Sequence, residues 1–497
     1  WNHSSLDDVP ESELLRKTTA AALNPEAEPV PYMDFNDAYI RQYPPELRQR
    51  IAIIAANYNI VNREYIAPLK IFDSLKQDEV DEPIKEYVQF LRAKIAAEVG
   101  RINDAKRLWQ ELADQIEDRQ FRARAQYALT LLKLQEGEIT PQGAIDELEK
   151  LRIVWRGDDL ERSLLTVLGQ LYVNQGNYWD GMKAWEELLQ YYPNTQEAIE
   201  AYKRMSETFR YLFLNNGSKD MKPLKALALY NEFQELTPLG DEGNKMIQNL
   251  VDELVKVDLL EQAAARLENQ IEYRLKGEEK SLIGARLALI YLLNREPTNA
   301  LLALQKSREA NVPGSLSLQR NRLAAQALLD LKRPEQSLMM IEGDYSPEGE
   351  AIRLEAYWAK EDWANVIDII ELMFRARPDL NAPFSVEEGQ RLLQLTLAYQ
   401  FLGEYNQMAY LRDAYGPLMK GNPLEDEFLF IARDKTPVDY QNFEKAVENI
   451  NNIQSFMDRF KNQVKDDALS NAIEEPAADD NSAPIAEPET GELAGPQ

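Results

Sequence analysis

Apolar residues recur along most of this chain at three- and four-residue steps, broken by short turn signals, with no sustained alternation. That period belongs to amphipathic helices, so the pattern predicts an all-α protein over residues 35–462. Its clearest unit runs from 161 to 193. Leu165, Leu168, Gly169 and Tyr172 mark a first helix, Gly176 and Asn177 a tight turn, Gly181 and Trp185 a second helix, and Pro193 its end. Gly169 and Gly181 lack a Cβ, which lets two helices approach closely where their axes cross. Tyr172 and Trp185 are the residues expected to fill the space beside that crossing.

The same helix–turn–helix signal returns along the chain. The first residue after the turn falls at 65, 102 and 178, and later at 260, 297, 334, 363 and 405, with spacings of 37, 37, 29 and 42 in the second series. The 161–193 unit resembles the tetratricopeptide repeat, W-x2-L-G-x2-Y…A-x3-F…P, with Leu165 in place of the first Trp. The resemblance implies an α-solenoid of degenerate two-helix units, wound as a right-handed superhelix, whose first helices line a groove for a partner segment. The expected organisation is an irregular, Pro-containing segment at 1–34, an array at 35–213, and an irregular connection or bend at 214–243. A second array with capping helices covers 244–462, including an apolar stripe over 438–461. A disordered tail follows at 463–497, since it has too little apolar surface to offset ordering entropy.

Charge narrows the function. The net charge is −28, of which nine negative charges and no basic residue lie from Asp466 onward, leaving −19 for the rest. Such a surface repels phosphate backbones, so a protein partner is expected rather than nucleic acid. No stretch is long and apolar enough to span a membrane. The chain starts at Trp1 without a leader, which reads as a piece of a longer or processed protein. The absence of cysteine excludes disulfides and thiolate chemistry and leans toward an exported protein.

Candidate chemistry is sparse. His3 is the only histidine and stands in the loose N-terminal segment. Paired acids such as Asp158-Asp159 and Glu186-Glu187 read as helix caps and solvated faces. Arg156-Gly157-Asp158 and Asn216-Gly217-Ser218 are short matches of the kind that arise by chance. No catalytic residue, cofactor or metal site is expected. Trp109 and Trp185 take the same core place in two repeats, while Trp179 and Trp363 stand beside turns with some exposure. The partner-groove candidates, on the inward side of the first helix of the clearest repeat, are Ser163, Thr166, Gln170, Val173 and Asn174. They lack the Lys and Arg set that would clamp a carboxylate terminus.

Three further stretches, 151–161, 224–238 and 284–293, resemble parts of large tetratricopeptide proteins of alphaproteobacteria, with similarity over about residues 35–460. That resemblance implies the C-terminal part of a protein of the bacterial periplasm or cell envelope, with β-rich modules and an export signal upstream; a cytoplasmic site is the alternative. It transfers no catalytic residue. The leading expectation is a non-enzymatic interaction scaffold. The alternatives are a helical-toroid carbohydrate-active enzyme, needing two carboxylates across an aromatic cleft, and a motility- or envelope-associated regulatory module.

Overall fold

The protein, here a computed structural model, is described at residues 43–75, 82–114 and 119–433. The segment at 1–34, the apolar stripe over 438–461 and the acidic tail at 463–497 lie outside the described residues. The periodic stretches are helices throughout, and no strand occurs among the described residues. The described residues form two compact units, one up to Thr208 and the other from Phe209 onward.

The first unit pairs α1 (Pro45–Val61) with α2 (Ile66–Leu75), α3 (Glu82–Glu98) with α4 (Ile102–Asp114), α5 (Arg119–Gln135) with α6 (Pro141–Val154), and α7 (Asp158–Asn174) with α8 (Tyr178–Tyr191). Helix α9 (Gln196–Phe213) runs through the division, and α10 (Pro223–Glu232) follows a loop at 214–222. The second unit continues with α11 (Asp241–Lys256) and α12 (Leu260–Tyr273), α13 (Gly277–Leu293) and α14 (Pro297–Lys306), and α15 (Gly314–Asp330) and α16 (Pro334–Met340). Last come α17 (Pro347–Ala359) and α18 (Trp363–Arg375), α19 (Val386–Leu402) and α20 (Tyr405–Tyr415), and a closing α21 (Glu425–Ile431). Starts are set by side-chain caps and by proline. Thr140, Asn177, Ser346 and Asp362 accept backbone N–H groups, Ser385 forms a capping box with Glu388, and Pro141, Pro297, Pro334 and Pro347 open helices. Asp158 caps α7 in part, its Oδ1 accepting the Leu160 N–H at 2.7 Å, whereas Asp159 is taken up by Arg124. Gly157 stands just before the helix with a φ of 88°, and the other oxygen of Asp158 meets Arg124.

The ends of the first helices share one device. Each chain turn carries a residue in the left-handed region, at 63, 100, 137, 176, 216, 258, 295, 332, 361 and 403. That geometry lets the amide beyond it reach back over the last turn, as Asn177 does to the Tyr172 carbonyl at 2.9 Å. Glycine fills four of these places at no steric cost, whereas Arg295, Lys332 and Glu361 hold a conformation that costs an L-residue about 1–2 kcal/mol. Lys332→Gly removes that strain while giving back part of the gain as unfolded-chain entropy, for an expected net stabilisation of about 0.5–1 kcal/mol. A urea midpoint that falls below that of the wild type refutes this.

Neighbouring hairpins are also tied by arginines. Arg320 donates to the Leu304 carbonyl (2.6 Å) in the last turn of α14, and Arg353 donates to the Ile341 and Asp344 carbonyls (3.0 Å each) beyond α16. A cation there complements the negative pole of a helix C-terminus. Burial, with Arg308 near, pushes Arg320 down to about 10, so it remains charged at neutral pH.

Candidate functional site

The α7–α8 hairpin shows how the repeat is assembled. A Cβ on Gly169 would lie 2.2 Å from Nε1 of Trp185, and one on Gly181 would lie 2.8 Å from the Gly169 carbonyl oxygen. The two glycines therefore face one another at the crossing. Trp185 is buried over Gly169 and donates its indole N–H to the Thr166 carbonyl at 3.2 Å. Leu168 is fully buried beside it. Tyr172 donates to Glu149 of the preceding hairpin at 3.1 Å, and the Glu149 charge adds to burial in keeping that hydroxyl protonated. Pro193 stands exposed, two residues beyond the end of α8.

The first helices are laced together at the repeat distance. Asn57 donates to the Tyr87 hydroxyl (2.7 Å), Arg124 to Asp159 (2.5 Å) and Asp158 (3.0 Å), Arg162 to Glu197 (3.2 Å), and Arg204 to Gln170 (2.6 Å). Tyr127 donates to the Ser163 carbonyl at 3.5 Å, and burial pushes its hydroxyl up to about 12, so it stays a donor. Hydrogen bonds from Arg124 hold the Asp159 carboxyl below its usual range. These acids are occupied by structure, as is Glu187, paired with Arg152 at 2.5 Å.

The five groove candidates separate on this framework. Ser163 lines an open cleft. Gln170 donates to Asn174 at 2.7 Å while accepting from Arg204, so this pair forms part of the lacing. The Thr166 hydroxyl donates to the Arg162 carbonyl at 2.8 Å. Val173 is turned toward Gly181, with Cγ2 2.7 Å from where a Cβ there would be.

That cleft, of about 390 Å3, opens between α3, α5 and α7. Phe90, Trp109 and Leu131 supply apolar lining, and Lys94, Glu98 and Arg124 supply charge. Lys94 stands 76 residues before Gln170, two repeats earlier in the same register, which is the sequence signal that leads to it. Trp109 and Trp185 share that register too, and both are buried. They differ in one bond: the Trp109 N–H is buried without an acceptor. Ala93 stands where the later repeat has Gly169, and a methyl group there excludes the indole position that reaches the helix carbonyl. Trp179 is partly exposed beside Lys183, and Trp363 stacks on Phe401 at 4.5 Å between centroids.

Among the described residues no group of three or more His, Asp or Glu is placed to hold a metal ion, and no helix is long and apolar enough to cross a membrane. Helical hairpins closed by a small-residue crossing and repeated at this spacing define an all-α solenoid of tetratricopeptide type. The chain is similar in fold to the anaphase-promoting complex hetero-tetramer Cut9–Hcn1, with 13% identity over 78% of this chain and 84% of that one and a TM-score of 0.27. It is similar also to Naa15/Naa10 bound to HypK-THB (12%, 93% and 69%, 0.25) and to the P58(IPK) TPR domain (12%, 79% and 94%, 0.20). No family model and no curated protein matches the sequence.

Proposed function

We propose that this chain is a non-enzymatic scaffold of a bacterial envelope that holds a protein segment against the first-helix face of α3, α5 and α7. The observation that carries this is the cleft itself: an apolar lining with three aromatic rings, Phe90, Trp109 and Tyr127, beside Lys94, Glu98 and Arg124. An apolar centre with a charged rim is the make-up of a protein-binding surface. Its lining residues Arg124 and Asp159, and Tyr127 and Ser163, are bonded to one another and supply a fixed polar border, so binding requires little rearrangement.

The test couples capture with two variants. Leu131→Asp puts a charge into the apolar lining, and Lys94→Glu reverses an exposed rim charge. A partner recovered from the host envelope with the wild-type chain is expected to bind at least about tenfold more weakly to Leu131→Asp, about 1.4 kcal/mol, with Lys94→Glu mainly slowing association. Equal capture by both variants, each with wild-type melting, removes the cleft as the site. Fractionation of host cells that leaves the protein wholly in the cytoplasm removes the envelope assignment.

A further inference from the structure

A second cleft, of about 470 Å3, lies in the second unit between the N-terminal turns of α17 and α19 and the C-terminal turn of α18. Its apolar lining includes Pro347, Ala351, Leu372 and Phe374. Tyr345 and Leu372 also line it although they are 80% and 65% exposed, apolar surface that is costly to leave in water.

Arg377 belongs to the same lining and is held rigidly. Its Nε donates to Glu388 at 2.8 Å, its Nη2 to the Ala382 carbonyl at 3.0 Å, and its guanidinium lies 4.3 Å from the centroid of Phe384. The side chain is 8% exposed. The remaining nitrogen, Nη1, is shut away from solvent and has no hydrogen-bond partner. Nearly all buried polar groups find partners, and a guanidinium nitrogen without one is a donor awaiting an acceptor. Glu388 already balances the charge of Arg377, and Glu350, Glu387 and a second cation, Arg391, line the cleft too. Three lining acids outnumber the two lining cations, which disfavours a carboxylate ligand, so the fitting acceptor is a neutral amide carbonyl. Glu350 is paired with Arg353, whereas Glu387 has no ion pair among the described residues and is free to meet a cation.

We propose that this cleft binds a short segment of a protein partner in which a lysine or arginine adjoins a leucine-like residue. The apolar side chain packs on Leu372 and Phe374, a backbone carbonyl accepts from Nη1 of Arg377, and the cation pairs with Glu387. A polypeptide offers these three features within two residues, a few ångströms apart. The site belongs to the second unit and stands or falls separately from the α3–α5–α7 face.

Met373 lines this cleft and reports on it. In the full chain labelled with methyl-13C methionine, its resonance is assigned with Met373→Leu. The probes are three blocked peptides: acetyl-Lys-Leu-Ala-amide, acetyl-Glu-Leu-Ala-amide and acetyl-Lys-Asp-Ala-amide. The Lys-Leu peptide is expected to shift the Met373 signal saturably, with the other two at least about tenfold weaker. Glu387→Gln is expected to bring the Lys-Leu and Glu-Leu peptides to within about twofold of each other, with unchanged melting. Arg377→Lys is expected to weaken all binding. Should it unfold the chain, Leu372→Asp takes its place, since Leu372 is too exposed to be needed for folding. A Met373 signal that no peptide moves, or that all three move equally, overturns the proposal. So does a signal that moves in Phe460→Asp without peptide, which would assign the cleft to the chain's own Arg459-Phe460-Lys461.

Discussion

Replacing Arg322 by methionine is expected to destabilise the second unit by about 3–5 kcal/mol, because it leaves Asp344 as a buried charge without its partner. The pair is two-pronged, with Arg322 Nε 2.6 Å and Nη2 3.2 Å from the carboxylate, and Asp344 is 4% exposed. Ser346 completes it, donating its hydroxyl (2.6 Å) and amide (3.1 Å) to Asp344 and accepting from Arg322 (2.8 Å). Burial alone would push the Asp344 carboxyl up. The hydrogen bonds from Arg322 and Ser346 and the arginine's charge outweigh it and bring the group down to about 2. The unfolded chain has an ordinary value near 3.8, so the folded state binds its proton less tightly. The resulting stability, about 2 kcal/mol, is therefore fully present above about pH 4 and is lost as pH falls through about 2. Urea midpoints measured from pH 5 downward test the sign: the wild type should lose stability more steeply than Asp344→Asn over that window. Parallel curves would show that Asp344 is no more acidic folded than unfolded.

Leucine at position 169 is expected to cost about 1–3 kcal/mol or more. Trp185 is 1% exposed, so the indole that a side chain at 169 would strike has no free space to enter. Moving it also breaks the bond to the Thr166 carbonyl. Gly181→Ala is expected to be similarly poor, since its methyl meets a backbone oxygen at 2.8 Å rather than a flexible tip. Gly143→Ala is the control: its nearest neighbour would be 3.4 Å away, an ordinary contact, and alanine is the better helix former. Denaturation curves for the three variants decide the matter. If Gly169→Leu unfolds with the wild-type midpoint, the helices do not cross there.

What could be read from residues alone depended on whether the residue type was forced. The Gly169–Gly181 crossing was legible because only glycine satisfies that approach, and Trp185 because a large ring beside two glycines has one place to go. The left-handed turns at Gly100 and Gly176 announce themselves for the same reason. Lys332 and Glu361 adopt that geometry with nothing in their side chains to signal it. Arg124, Arg204 and Arg377 were hidden differently. Each looks like one more surface cation until a partner from elsewhere in the chain is brought against it, and periodicity gives the facing helix but not the partner. The expected cap held only at Asp158, whose Oδ1 accepts the Leu160 N–H, since Arg124, 35 residues before Asp159, takes up that second acid.

The lacing between first helices also sets how each unit can fold. Its bonds join residues 30 to 39 positions apart, from Asn57–Tyr87 to Ser281–Arg320. Such a pattern keeps the sequence separation of native contacts constant however many hairpins are added. The entropy of loop closure is thus met in equal small steps, and any hairpin with one neighbour can serve as a nucleus. Amide exchange within each unit should accordingly grade from slow inner hairpins to fast outer ones, rather than switch on together at one global opening.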